Sequence, residues 1–150
     1  MSDLHEKFVR ESIRLAEQAK QNGNHPFGAL LVKDDKVLLT AENTVNTEND
    51  CTRHAELNLV SQASQQFTPD ILTHSILYTS TEPCAMCAGA IFWAGIPVVV
   101  FGCSSATLWD ISSGNLMISS PEIFARGQHR VKVIGPILEH EALTVHQDFW

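Results

Sequence analysis

Between residues 75 and 102 the sequence reads SILYTSTEPCAMCAGAIFWAGIPVVVFG, and this stretch limits the folds open to the chain more than any other. SILYTS has the pattern of a short buried strand. CAMCAGAIFWAG is a helix of small and apolar residues, ended by Gly95 with Pro97 shortly after. VVVFG is a continuous apolar run, the kind of strand found in parallel sheets covered on both faces. A strand, a helix and a second strand in this order call for a layered α/β architecture.

The flanking sequence extends the pattern. Residues 3–22 place Leu4, Phe8, Leu15, Ala16 and Ala19 on one helical face, and Asn-Gly-Asn ends the helix. PFGALLVK and KVLLTAEN flank Asp34-Asp35 as the arms of a hairpin. Residues 44–53 are polar and loop-like, and HAELNLVSQAS has helical periodicity. Residues 103–120 read as irregular, with a short helix over 121–126. RVKVIG is a further strand, and Leu138, Ala142, Val145 and Phe149 form the stripe of a last helix. With no repeat, low-complexity tract or linker, the expectation is one domain over 1–150. Its fold class is α/β: a three-layer α/β/α arrangement around a central five-stranded mixed sheet, largely parallel.

Composition narrows the function. The 150 residues carry ten Lys and Arg against seventeen Asp and Glu, a net charge of −7. Seven of the ten basic residues lie in the first 53 positions, and none follows Lys132. A nucleic-acid partner calls for a basic footprint, because phosphate neutralisation supplies most non-specific affinity; a nucleic acid is therefore not the expected partner. The opening residues lack the apolar core of a secretory signal, and no apolar run has the length of a membrane span. The expected protein is soluble and cytoplasmic, with no membrane partner. In a reducing compartment, Cys51, Cys84, Cys87 and Cys103 do not read as a disulfide framework, and a Cys-x-x-Cys pair points to metal or redox chemistry.

Cys84 and Cys87 lie one turn apart at a helix start, behind Pro83, where the positive end of the helix favours thiolate. Two thiolates suit zinc, which usually takes four ligands. His54, also at a helix start, is the best candidate for the third, with Glu56 two residues on. Three protein ligands leave a position for water, whose pKa zinc lowers to roughly 7, and a carboxylate beside that water can move protons. Glu56 fits that role. Two other readings compete. A thioredoxin-like redox pair explains neither His54 nor Glu56, and a structural zinc site would need a fourth ligand such as Cys51 or Cys103.

H-x-E followed by P-C-x-x-C is the signature of zinc deaminases acting on nucleobases. Here HAE at 54–56 and PCAMC at 83–87 match every required residue. The chain resembles the cytidine deaminase-like superfamily, in the branch of guanine deaminases, fungal cytosine deaminase and tRNA adenosine deaminases. The resemblance runs from HPFGALLV through AEN, HAE, LYTSTEPCAMCAGAI and VVFG to the last helix. It implies that His54, Cys84 and Cys87 bind Zn2+ and that Glu56 shuttles protons. Asn43 would hydrogen-bond the base, and the backbone N–H of Ala55 and of Cys84 would face the substrate. It also implies attack of zinc-bound hydroxide on a ring carbon, loss of ammonia, and a homodimer.

The substrate is less constrained. The tail from Asn115 resembles that of bacterial tRNA adenosine deaminases, yet the last eighteen residues contain no Lys or Arg. PFGA at 26–29 and IFWAG at 91–95 are closer to the guanine deaminase type. The expected partner is therefore a small heterocycle, a free base or nucleoside of guanine type, with a tRNA adenosine deaminase as the alternative. A non-catalytic zinc or RNA-binding module ranks last, because Glu56 is present. Phe27, Trp93 and Asp110 are candidate substrate contacts. Asp110, in LWDISSGN, stands where guanine deaminases carry an acidic pair. Trp109 reads as core, and Arg53 as a solvated residue that would select a substrate with a carboxylate, phosphate or extra carbonyl if it faced the pocket.

Overall fold

The computed structural model describes residues 2–114 and 116–150. The chain runs α1 (Ser2–Gln21), β1 (Gly28–Lys33), β2 (Lys36–Glu42), α2 (Val45–Glu48), α3 (Ala55–Gln66), α4 (Pro69–Leu72), β3 (Ile76–Thr81), α5 (Ala85–Ala94), β4 (Val98–Cys103), α6 (Ser105–Ser112), α7 (Ser120–Phe124), β5 (Lys132–Ile134) and α8 (Glu139–Thr144). The five strands form one mixed sheet in the order β2-β1-β3-β4-β5.

Strand alternation explains how both faces are covered. Ala29 and Leu31, with Leu77 and Val99, pack under α3, α5 and α7, where Leu59, Ile91 and Phe124 complete one core. Leu30 and Val32, with Tyr78 and Val100, face the other way against Phe8, Val9 and Leu15 of α1. Successive strand residues point to opposite faces, so a sheet buried on both sides reads as an unbroken apolar run. The three-layer arrangement expected from the sequence is present.

Several local expectations change. The sheet is less parallel than expected: β3–β4 and β4–β5 are parallel, but β1 is antiparallel to both β2 and β3. The hairpin forces the first of these pairings. Its turn, Asp34-Asp35, has positive φ at both residues (52° and 61°), the geometry that matches the twist of the flanking strands. Residues 103–120 are not irregular throughout, since α6 occupies Ser105–Ser112. The last helix stops at Thr144, so Val145 and Phe149 of the expected stripe lie beyond it. Among the described residues no helix is long and apolar enough to cross a membrane.

Candidate active site

One end of the sheet gathers the reactive side chains. Gly28 at the start of β1 pairs with Glu42 at the end of β2, and Thr81 of β3 with Cys103 of β4. The segments that follow or precede these residues, carrying Phe27, Asn43, Glu82–Cys84 and Ser104–Ser105, therefore lie side by side. Ligands in α/β sheets commonly bind beyond such strand ends.

From that end two helices begin. His54 is the N-cap of α3 and Cys84 the N-cap of α5, both in extended conformation. Neither side chain caps its own helix. Each is free to turn toward the other, and they meet. Nδ1 of His54 lies 3.5 Å from Sγ of Cys84 and 3.7 Å from Sγ of Cys87, and the three donor atoms all fall within 4.8 Å of one another. Zinc bonds of about 2.3 Å to sulfur and 2.0 Å to nitrogen, at tetrahedral angles, separate such donors by about 3.5 Å. The donor set and its spacing fit zinc with a fourth position left over. Cys51 is exposed, and Cys103 is buried with its thiol on the carbonyl of Ser104; neither belongs to the cluster.

The charges support the same reading. The Cys84 thiol is pushed down to about 4, first by the hydrogen bond from Cys87 and then by His54. Cys87 is raised well above the ordinary thiol range by giving that bond and by burial. His54 is raised, chiefly by its bond to Cys84. Glu56, in the first turn of α3 and only 4% exposed, has its pKa pushed up to about 7 by burial and by the negative charge of Cys84. A carboxyl group so placed can hold or release a proton near neutral pH.

These groups open on a cavity of about 100 Å³. His54, Glu56 and Cys84 form its reactive side, and Phe27, Leu108, Trp109, Leu116 and Ile118 its apolar walls. Thr81, Glu82 and Ser105 complete it; burial works to raise the Glu82 pKa, but hydrogen bonds from Ser120 and Ser105 hold it below the usual value. A larger open groove of about 400 Å³ lies between α1, β2 and α3. It contains none of the His-Cys-Cys donors, so the smaller cavity is the candidate site.

Other sequence candidates fall in different places. Asn43 is buried beside Phe27, whose carbonyl accepts its N–H at 3.1 Å, and its Oδ1 accepts from Val45 N–H at 3.0 Å. Among the described residues no group pairs with its Nδ2. Ala55 is buried between His54 and Glu56. Asp110 is exposed on α6 and does not line the cavity. Trp93 is 84% exposed and also lies outside it. Trp109, expected in the core, lines the cavity instead. Arg53 lines the larger groove, held by Asp50 at 3.2 Å. Thr81, Glu82, Leu116 and Ile118 were not legible as wall residues, because no short-range pattern marks them.

Known proteins carry the same plan. Residues 2–103 match the family described as the cytidine and deoxycytidylate deaminase zinc-binding region. A probable cytosine deaminase of Schizosaccharomyces pombe is 41% identical over 99% of this chain and 96% of its own. A guanine deaminase of Bacillus subtilis is 43% identical over 65% of this chain and 62% of its own. A solved tRNA:A34 deaminase superposes with a TM-score of 0.76 at 27% identity, covering 93% of this chain and 98% of the other. Fold and site thus define a hydrolytic deaminase with a cytidine deaminase-like core. The chain belongs to the cytidine and deoxycytidylate deaminase family.

Proposed function

We propose that the protein deaminates a small aminated heterocycle by hydrolysis, a free base or nucleoside rather than a nucleotide within RNA. The observation that carries this reading is Glu56: a carboxyl only 4% exposed, on the wall of a small cavity it shares with His54 and Cys84. In this reading His54, Cys84 and Cys87 hold zinc. When bound, zinc supplies the Lewis acidity that makes a water nucleophilic near neutral pH. Glu56 takes one proton from the attacking water and gives it to a ring nitrogen, then takes the second from the new hydroxyl on the ring carbon and gives it to the amine as the C–N bond breaks. Water replaces the amino group at the ring carbon, and ammonia leaves. Phe27 and Trp109 hold the flat ring between apolar surfaces, and Asn43, which does not itself line the cavity but whose N–H is held by the carbonyl of Phe27, is the proposed donor to the base through Nδ2.

Guanine is the favoured base, on PFGA and IFWAG and on the relative named guanine deaminase. Cytosine is the second reading, favoured by the near full-length match to a probable cytosine deaminase. The likeness to a tRNA deaminase supports a third, against which stand the net charge of −7 and a last stretch without Lys or Arg.

The test is ammonia release by zinc-quantified protein on guanine, guanosine, cytosine, cytidine, adenine and adenosine, with a tRNA arm scored for inosine. Release from one free base or nucleoside without inosine in tRNA is expected. Inosine in tRNA alone would overturn the reading.

A further inference from the structure

Glu82 begins the loop that leads from β3 to Cys84, and it is only 8% exposed. Among the described residues it has no ion-pair partner. A buried carboxylate without a cation needs its lone pairs filled, and here four hydrogen bonds fill them. Oε1 accepts from the N–H of Ser105 at 3.1 Å and from its hydroxyl at 3.0 Å. Oε2 accepts from the N–H of Ser120 at 2.9 Å and from its hydroxyl at 2.6 Å. Each oxygen thus grips one serine, and each serine is the first residue of a helix: Ser105 of α6 and Ser120 of α7.

The two helix starts are fifteen positions apart in sequence, and this carboxylate holds both. What they carry gives the contact its meaning. Leu108 and Trp109 stand on α6, and Leu116 and Ile118 lie shortly before α7; these four form most of the apolar wall of the cavity. The wall is therefore tied to the loop that delivers Cys84, through one side chain.

Resting on the deaminase reading of this cavity, we infer that Glu82 is a positioning residue for substrate recognition. Its carboxylate clasps the starts of α6 and α7 to the cysteine loop and so sets the width of the cavity over the reactive groups. With all four bonds spent on serine donors, it neither ligates metal nor moves the substrate's protons.

Glu82→Gln separates this role from plain structural support. The amide keeps the volume but can accept on one side only, so one serine faces N–H groups instead of an acceptor. Three readouts are taken on the full chain: zinc per protomer, hydrogen–deuterium exchange, and steady-state kinetics on guanine or whichever base the native protein deaminates. Expected are unchanged zinc, faster exchange confined to residues 105–124, and a KM raised by about tenfold with kcat changed much less. Ser120→Ala, which removes one of the four bonds, shows the same pattern more weakly and carries the test if Glu82→Gln does not fold. Unaltered exchange over 105–124 would overturn the clasp. Faster exchange there with an unaltered KM would leave it structural only, and loss of zinc would assign Glu82 to the metal centre; either result also overturns the inference. The exchange arm needs no substrate, so the clasp is tested even where the proposed activity fails.

Discussion

In the chain without metal, burial and the negative charge of Cys84 both disfavour the ionised form of Glu56 and push its pKa up to about 7. That suits a group that must accept a proton from water and return it to a leaving amine. Glu56→Gln is therefore expected to lower kcat by about 10²- to 10⁴-fold while the zinc content stays unchanged. A variant that turns over normally would remove Glu56 from the mechanism. At this scale the sequence was most informative where heteroatom residues stand at helix starts. His54, Glu56, Cys84 and Cys87 share that placement, and the structure brings all four together. The aromatic residues were less legible. Trp93 lies nine positions beyond Cys84, about half a turn away at 3.6 residues per turn, so the helical wheel already sets it on the opposite side. Trp109 could not be placed without knowing that α6 exists. Glu82 looks like any acidic residue before a proline; only the fold shows that two distant serines converge on it.

Among the elements, the long ones were legible and the short ones were not. The helix read over 3–22 is α1, and the hairpin and the CAMC helix fall where periodicity and Gly95 put them. Gly95 closes α5 with φ 79°, a conformation that costs a side-chain-bearing residue energy. α6 escaped because Ser, Thr and Asp are poor helix formers and eight residues give little pattern; caps supply what propensity does not. Ser104 accepts from Thr107 N–H, Glu139 accepts from Ser104 N–H, and Glu82 takes Ser105. Close packing of elements also puts a strict demand on one position. At Gly28 an added Cβ would lie 2.5 Å from the carbonyl oxygen of Ser12 and 2.6 Å from the nitrogen of Ala16, both backbone atoms of α1. Gly28→Ala must push α1 away from β1 and is expected to cost about 3 kcal/mol, read as a lower urea midpoint. A midpoint equal to that of the native chain would mean that α1 has slack that the structure does not show.

At the scale of the molecule, His146 links stability to pH. It is fully buried, its Nδ1 accepts from the indole N–H of Trp150 at 3.1 Å, and its Nε2 lies 3.3 Å from Oγ1 of Thr81. Burial pushes its pKa from 6.5 down to about 4, so the folded chain prefers it neutral. The contribution is complete above pH 6.5 and is lost progressively as the pH falls toward 4. It amounts to about 3 kcal/mol over that window. Urea midpoints of the native chain and of His146→Gln, compared between pH 7.5 and 4.5, should converge as the pH falls. Parallel curves would show that His146 titrates alike in both states.

The register of the sheet has one more consequence. All the reactive segments hang from the end of the sheet where Gly28 pairs with Glu42, while the Asp34-Asp35 turn projects from the other. Replacing Asp35 by Gly relieves a positive φ and is expected to raise stability by about 0.5–1 kcal/mol without changing KM. The far turn is thus a neutral handle, where a fluorophore or a surface tether can be fixed while the catalytic end keeps working undisturbed.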